Sequence, residues 1–283
     1  IHGEVKNNLY GRNLLEEVKL YGERTRAVVK NLKFDVIHAH DWLAYPAGMM
    51  AKKLSGKPLV VHVHATEFDR TGGNGVNQQV YEIEKQGMTL ADRVIAISHW
   101  TKNIVMKHYD IPESKIEVVH NGIDADEYRG QNVRLKELKE AGYKIVLFVG
   151  RITLQKGPDY FIKTAKRVLE FNDKVYFVVA GSGDMERQTI EEAAKLGISD
   201  RVIFCGFLRG QELNDLYASA DLYVLPSISE PFGLTPLESL VNGTPVLISN
   251  QSGVAEVLKH ALKSDFWDID DMANKIVAVL WHP

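Results

Sequence analysis

The sequence has one cysteine, Cys205, among 283 residues. No internal disulfide is possible, which points to a reducing, cytoplasmic setting rather than a cross-linked secreted framework. Long hydrophobic runs are also missing. Apolar stretches such as residues 175–180 fall far short of the roughly 20 residues that span a bilayer, and no signal segment is visible. Charge of one sign is not in excess. Lys and Arg number 34 against 37 Asp and Glu, a net charge of -3, so no broad basic field marks the chain for nucleic acid or an anionic membrane. There is no Gly-Xaa-Ser-Xaa-Gly elbow and no Gly-Lys-Ser/Thr loop, which removes serine hydrolases and P-loop kinases. Fixed-period repeats and low-complexity tracts are lacking too.

What remains is an ordinary globular composition, 45% hydrophobic and 25% charged, long enough for one large core or two moderate ones. Short β-branched runs alternate with longer amphipathic stretches, the rhythm of βα units around parallel sheets. Strands are expected at residues 35–38, 58–64, 93–97 and 115–119, and again at 144–149, 174–180, 201–205, 221–225 and 245–248, with Cys205 buried in its strand. Apolar residues at three- and four-residue spacing predict helices over 13–30, 78–90, 101–108, 158–171, 185–196 and 211–218. The fold class is therefore α/β with two Rossmann-like domains. We expect an N-terminal domain at 1–123, a charged connection with a short surface helix at 124–143, and a fuller C-terminal domain at 144–283.

Three constellations carry chemistry. In the first, Phe148 and Val149 end a strand and lead through Gly150, Arg151 and Lys156 to Gly157 and Pro158 at a helix start. Arg151 and Lys156 can converge there on one anion, the former by its fork and the latter as a point charge. Two solvated surface cations would have the same spacing. In the second, Glu230, Pro231, Phe232, Gly233, Leu234, Thr235, Pro236, Leu237 and Glu238 follow a strand and open a helix. Gly233 lets backbone approach a ligand, free N–H groups at the helix start suit phosphate, and Glu238 can accept two ribose hydroxyls. Helix capping accounts for a glutamate there as well.

In the third, strand alternation places His38 with His40 and His62 with His64 on common faces. A histidine metal site is one option. No cysteine joins the cluster, and further ligands would have to come from Asp41, Glu67 or Asp69. We therefore expect no metal, with His38 and His62 as satisfied packing residues and His40, Asp41 and His64 near the domain mouth. Gly181, Ser182 and Gly183 resemble a phosphate or ribose loop but are too short to specify one, and Asn121-Gly122 reads as an interdomain turn.

Together these segments resemble glycosyltransferase family 4 and the glycogen-synthase-like retaining transferases of GT-B architecture, over nearly the whole chain. The Glu, seven residues, Glu motif is matched by Glu230 and Glu238, and the Gly-Arg and Lys-Gly pairs by Gly150, Arg151, Lys156 and Gly157. His38 to Trp42 and Val63-His64 match two further stretches. The resemblance implies an interdomain cleft, a nucleoside-diphosphate sugar as co-substrate, a carbohydrate-like or other hydroxyl acceptor, and no metal or other cofactor. It assigns Arg151 and Lys156 to the diphosphate, Glu230 to the donor sugar and Glu238 to the ribose, with Phe232, Gly233 and Leu234 in the donor loop. His64 then faces the anomeric carbon and Asp41 the acceptor, so the catalytic set is His64, Asp41, Arg151, Lys156 and Glu230. The nucleotide base stays open between UDP, ADP and GDP. The family's opening strand and Gly-rich loop have no counterpart before Tyr10, and its returning C-terminal helix is not seen by Pro283. From this we expect an incomplete first domain, with weak activity or oligomerisation. The alternatives are a metal-dependent hydrolase using the paired histidines, a nucleotide-sugar-binding module, and an epimerase.

Overall fold

A computed structural model describes residues 13–281; the stretch before Tyr10 lies outside the described residues. The chain divides into two compact units. One comprises residues 1–67 and 75–119, and the other comprises 68–74 and 120–283.

The first unit holds a four-stranded parallel sheet in chain order: β1 Ile37–His40, β2 Leu59–Val63, β3 Arg93–Ala96 and β4 Ile116–Val118. Its helices are α1 Leu14–Val29, α2 Asp41–Ser55, α4 Gln78–Leu90 and α5 His99–Tyr109; the short α3 Glu67–Thr71 starts at its Glu67 and otherwise belongs to the second unit. Side-chain caps start two of them. The Asn77 side chain accepts from the N–H groups of Gln79 and Val80 ahead of α4, and Ser98 accepts from Thr101 N–H ahead of α5.

Helix α2 is not legible as a helix in the sequence, because it follows β1 with no loop and contains Pro46. It shifts the first strand from the expected 35–38 to Ile37–His40. The helix packs tightly on β1 and β2. A Cβ on Gly48 would sit 2.9 Å from the Ala39 Cβ and 3.0 Å from Leu59 Cδ1. Ala39, Leu59, Val61 and Val63 are accordingly buried, each large side chain contributing about 1.5–3 kcal/mol on burial.

The second unit is a six-stranded parallel sheet in the order β10-β9-β8-β5-β6-β7. The strands are β5 Lys144–Val149, β6 Val175–Ala180, β7 Val202–Gly206, β8 Leu222–Leu225, β9 Val246–Ser249 and β10 Leu262–Ser264. Helices α6 Lys136–Glu140, α7 Pro158–Leu169, α8 Glu186–Lys195, α9 Gln211–Ser219, α10 Thr235–Val241 and α11 Ile269–Trp281 complete it. Strand β10 reads Leu-Lys-Ser, without the β-branched run that marks the equally short β4. This is the doubly wound order, in which the winding direction reverses between β5 and β8 and opens a crevice at their carboxyl ends. Strand β5 is buried on both faces from Ile145 to Phe148, and the rings of Phe148, Phe161 and Phe177 pack at centroid separations of 5.5 and 5.7 Å.

Cys205 lies in β7 as expected but is only half-buried, because β7 is an edge strand. Residues 124–143 contain the short turn Ala125–Glu127 and α6. This stretch is clipped to the second unit: Gly130 N–H donates to Asn242 Oδ1 at 2.6 Å and Gln131 N–H to Asp215 Oδ1 at 2.9 Å. Among the described residues no helix is long and apolar enough to cross a membrane.

Candidate functional site

In the second unit the sequence-predicted residues gather at the switch point. β5 delivers Gly150 and Arg151, and the turn Leu154–Lys156 leads to Gly157 before α7. Gly157 has φ +65, and a Cβ there would meet the Pro226 carbonyl oxygen at 2.2 Å. That position is therefore closed to any other residue. The approach joins the loop after β5 to the loop after β8, and so brings Lys156 to Glu230.

Lys156 Nζ and a Glu230 carboxylate oxygen form a tight ion pair with side-chain exposures of 13% and 7%, and Ser227 Oγ donates to the same oxygen at 3.2 Å. The backbone also fixes Glu230. Its N–H donates to Gln251 O at 2.9 Å, its carbonyl accepts from Gly253 N–H at 2.8 Å, and it bridges Ser252. Arg151 is exposed and donates from Nη2 to Gln155 Oε1 at 3.3 Å, while Gln155 Nε2 donates to Ser229 O at 3.0 Å. Gln155 thus links the cationic loop to the loop that carries Glu230, a role its isolated position in the sequence does not signal.

Beside this cluster opens a cavity of about 580 Å³, lined among others by Gly150, Arg151, Gly181, Ser182, Arg209, Thr235 and Glu238. Its floor is close backbone packing. A Cβ at Gly181 would lie 1.9 Å from Gly150 O, and one at Gly183 2.2 Å from Ile152 O. The Gly-Ser-Gly segment is therefore glycine-rich because two loops touch there.

Glu238 sits in α10, the helix that Pro236 opens, and accepts from Tyr217 Oη at 3.1 Å. Burial raises its pKa, opposed by hydrogen bonds from Tyr217 and Tyr128 and by the Lys156 charge. Tyr128 also lines the cavity. It comes from the charged stretch 124–143, and only folding brings it to Glu238.

Arg151 and Glu238 line the cavity, whereas Lys156 and Glu230 sit to its side, engaged with each other. Gly233 has φ +97 next to Glu230, and Leu234 is partly exposed. Phe232 is 2% exposed, with its carbonyl bonded to Val254 N–H at 2.7 Å. Its ring is core, and only its backbone shapes the loop.

In the first unit, Asp41 opens α2 with φ +56, a left-handed conformation that Asp tolerates. Its carboxylate accepts from His64 N–H at 2.7 Å and Ala65 N–H at 3.4 Å, tying the end of β2 to the start of α2. His40 Nδ1 and His64 Nε2 lie 2.9 Å apart. The expectation of His38 and His62 as satisfied packing residues fails. His38 is exposed, and both ring nitrogens of His62 are buried with no hydrogen-bond partner among the described residues. The reason is register: His40 stands opposite His62, so four imidazoles share the sheet face opposite α2. Burial, followed by repulsion from His64, His40 and His38, lowers the His62 pKa to about 4.

A doubly wound sheet with a switch-point cavity is the architecture of nucleotide-binding α/β proteins. The chain belongs to the glycosyl transferases group 1, whose family model matches residues 131–280, and the model of glycosyltransferase family 4 matches residues 2–127. A Methanocaldococcus jannaschii protein named as a glycosyltransferase is 36% identical over 237 residues, 81% of this chain; the chain spans only 60% of that relative's length. Sucrose-phosphate synthase from Thermosynechococcus elongatus matches with a TM-score of 0.83 at 23% identity, over 97% of this chain and 71% of that one. An Anabaena protein solved with UDP and glucose matches with a TM-score of 0.80 at 21% identity, over 93% of this chain and 72% of that one. These likenesses establish two Rossmann-like domains of the GT-B kind.

Proposed function

We propose that this chain carries the donor site and part of the acceptor side of a retaining hexosyltransferase that uses a nucleoside-diphosphate sugar without a metal ion. The observation that carries this is the switch-point cavity, where Arg151 and Glu238 face one space while Lys156 and Glu230 pair at its side. Glu238 accepts the ribose hydroxyls. Arg151 holds the diphosphate by its guanidinium fork, and Lys156 turns from Glu230 towards the phosphate as the donor arrives. The solved Anabaena relative with UDP and glucose supports the same class of donor.

In transfer, the bond from the anomeric carbon to the diphosphate oxygen breaks and the acceptor oxygen bonds to that carbon from the same face. The acceptor proton passes to the departing diphosphate. Arg151 and Lys156 stabilise the growing negative charge. The family resemblance assigns Glu230 to the donor sugar, His64 to the anomeric carbon and Asp41 to the acceptor. No protein base is required, and positioning supplies much of the rate. The protein acts in the cytoplasm.

Thermal shifts with UDP, ADP, GDP and their glucose conjugates, in EDTA, test this directly. A ligand that binds the native state raises Tm by mass action. One diphosphate family should do so, and Arg151→Ala should weaken its binding about 10- to 100-fold while leaving the unliganded Tm within about 2 °C. No shift with any of the three, or shifts that Arg151→Ala leaves intact, would place the donor elsewhere. Hydrolysis without transfer that vanishes in EDTA and returns with zinc would favour a metal-dependent hydrolase that uses the histidines.

A further inference from the structure

We infer that the histidine face of the first unit is a binding site for one borderline divalent transition metal, Zn²⁺ in the first instance, with His38, His40 and His62 as ligands. Parallel sheets in α/β proteins are ordinarily apolar on both faces, yet here four imidazoles occupy neighbouring positions on one. The His38 and His62 rings stack at 5.4 Å and 3°, the His40 and His64 rings at 5.2 Å and 18°, and the two within-strand neighbours lie 4.3 Å apart.

One ring nitrogen from each of His38, His40 and His62 falls within 4.8 Å of the others. Tetrahedral zinc with bonds of about 2.0–2.1 Å holds its ligand nitrogens about 3.4 Å apart. Closing that difference takes side-chain rotations of about 1 Å, which the exposed His38 and His40 are free to make on fixed strands. His62 supplies a second, independent observation. Its two ring nitrogens are shielded from solvent and have no partner among the described residues, a costly state that a metal bond relieves at one of them.

The ligand chemistry selects the ion. Neutral imidazoles suit Zn²⁺, Cu²⁺, Ni²⁺ and Co²⁺ and do not suit Mg²⁺ or Ca²⁺. Three imidazoles leave a fourth position for water. A metal on Nε2 of His40 leaves its Nδ1–H to donate to His64 Nε2, 2.9 Å away, the outer contact that fixes a metal-bound imidazole. Asp41 is already committed to backbone N–H groups of His64 and Ala65 and stays outside the ligand set. The site lies wholly within the first unit and does not depend on the donor chemistry proposed above.

The test uses tag-free, EDTA-stripped protein. Zn²⁺ titrated by calorimetry should bind at one equivalent with a Kd of about 1 µM or tighter. Co²⁺ should give the intense visible bands of a tetrahedral site. His38→Asn and His62→Asn should each weaken binding at least tenfold, and His260→Asn should leave it unchanged. X-ray absorption of the zinc-loaded wild type should show about three imidazoles, a readout that does not need any variant to fold. Absence of stoichiometric binding, indifference to both substitutions, or an absorption spectrum without multiple imidazoles would each overturn the inference.

Discussion

The two units are built from the same βα repeat, yet they place polar chemistry in different parts of the sheet. In the second unit the strand order reverses between β5 and β8, and topology alone opens a crevice where loop residues converge. The described first sheet runs β1 to β4 in order with no reversal. Its reactive side chains lie across a strand face, four histidines brought together by register, with Asp41 at the end. One unit creates its site by chain path and the other by side-chain alternation. The difference extends to stability: the second unit's site rests on a buried ion pair, and the first's on a carboxylate that holds backbone.

The most forceful way to break the comparison is Lys156→Ala. It leaves Glu230, 7% exposed in its side chain, as an unpaired buried charge, and should cost about 3–5 kcal/mol in urea unfolding and abolish the nucleotide-induced thermal shift. The double variant Lys156→Met, Glu230→Leu should regain most of the stability and none of the binding. If the single variant unfolds like wild type, the pair does not hold the loops together.

A smaller effect belongs to the first unit. Asp41→Ala removes the acceptor for two backbone N–H groups and places a residue of lower left-handed tolerance at φ +56, with an expected loss of about 1–2 kcal/mol. Asp41→Asn should restore much of it. Equal losses from both variants would assign the effect to charge rather than to backbone support.

The smallest expected change is in pH dependence. The Glu238 pKa is raised chiefly by burial, so the folded state holds its proton more tightly than the unfolded chain. Stability from this group is complete below the unfolded value of about 4.5 and is lost as pH rises through the higher folded value. Glu238→Gln should therefore match wild-type stability near pH 4 and exceed it slightly at pH 7, while nucleotide affinity falls. A stability gap that narrows as pH rises would contradict the assignment.

Much of the switch-point cluster proposed as the donor site was legible because its signals are local. Arg151, Lys156 and Gly157 follow one strand, and Glu230 and Glu238 flank one helix start, so spacing sufficed to nominate them. Gln155, Tyr128 and Ser227 were not legible: their roles depend on partners 74, 110 and 3 residues away along the chain, and even the near one is an unremarkable loop serine. Phe232 was nominated with its motif, but its ring packs in the core. Helix α2 was hidden by Pro46, and β10 by its lack of β-branched residues.

By itself the sequence determined the βα rhythm, nine of the ten described strands, and the nomination of Arg151, Lys156, Glu230 and Glu238, because periodicity and strand-end motifs are properties of short segments. Only the tertiary structure decided that Lys156 is bound to Glu230, that the glycines of residues 181–183 serve loop contact, and that four histidines share one sheet face. Each of these depends on which strands are neighbours and in what register, and a one-residue shift in β1 against β2 would move every histidine of one strand to the opposite side.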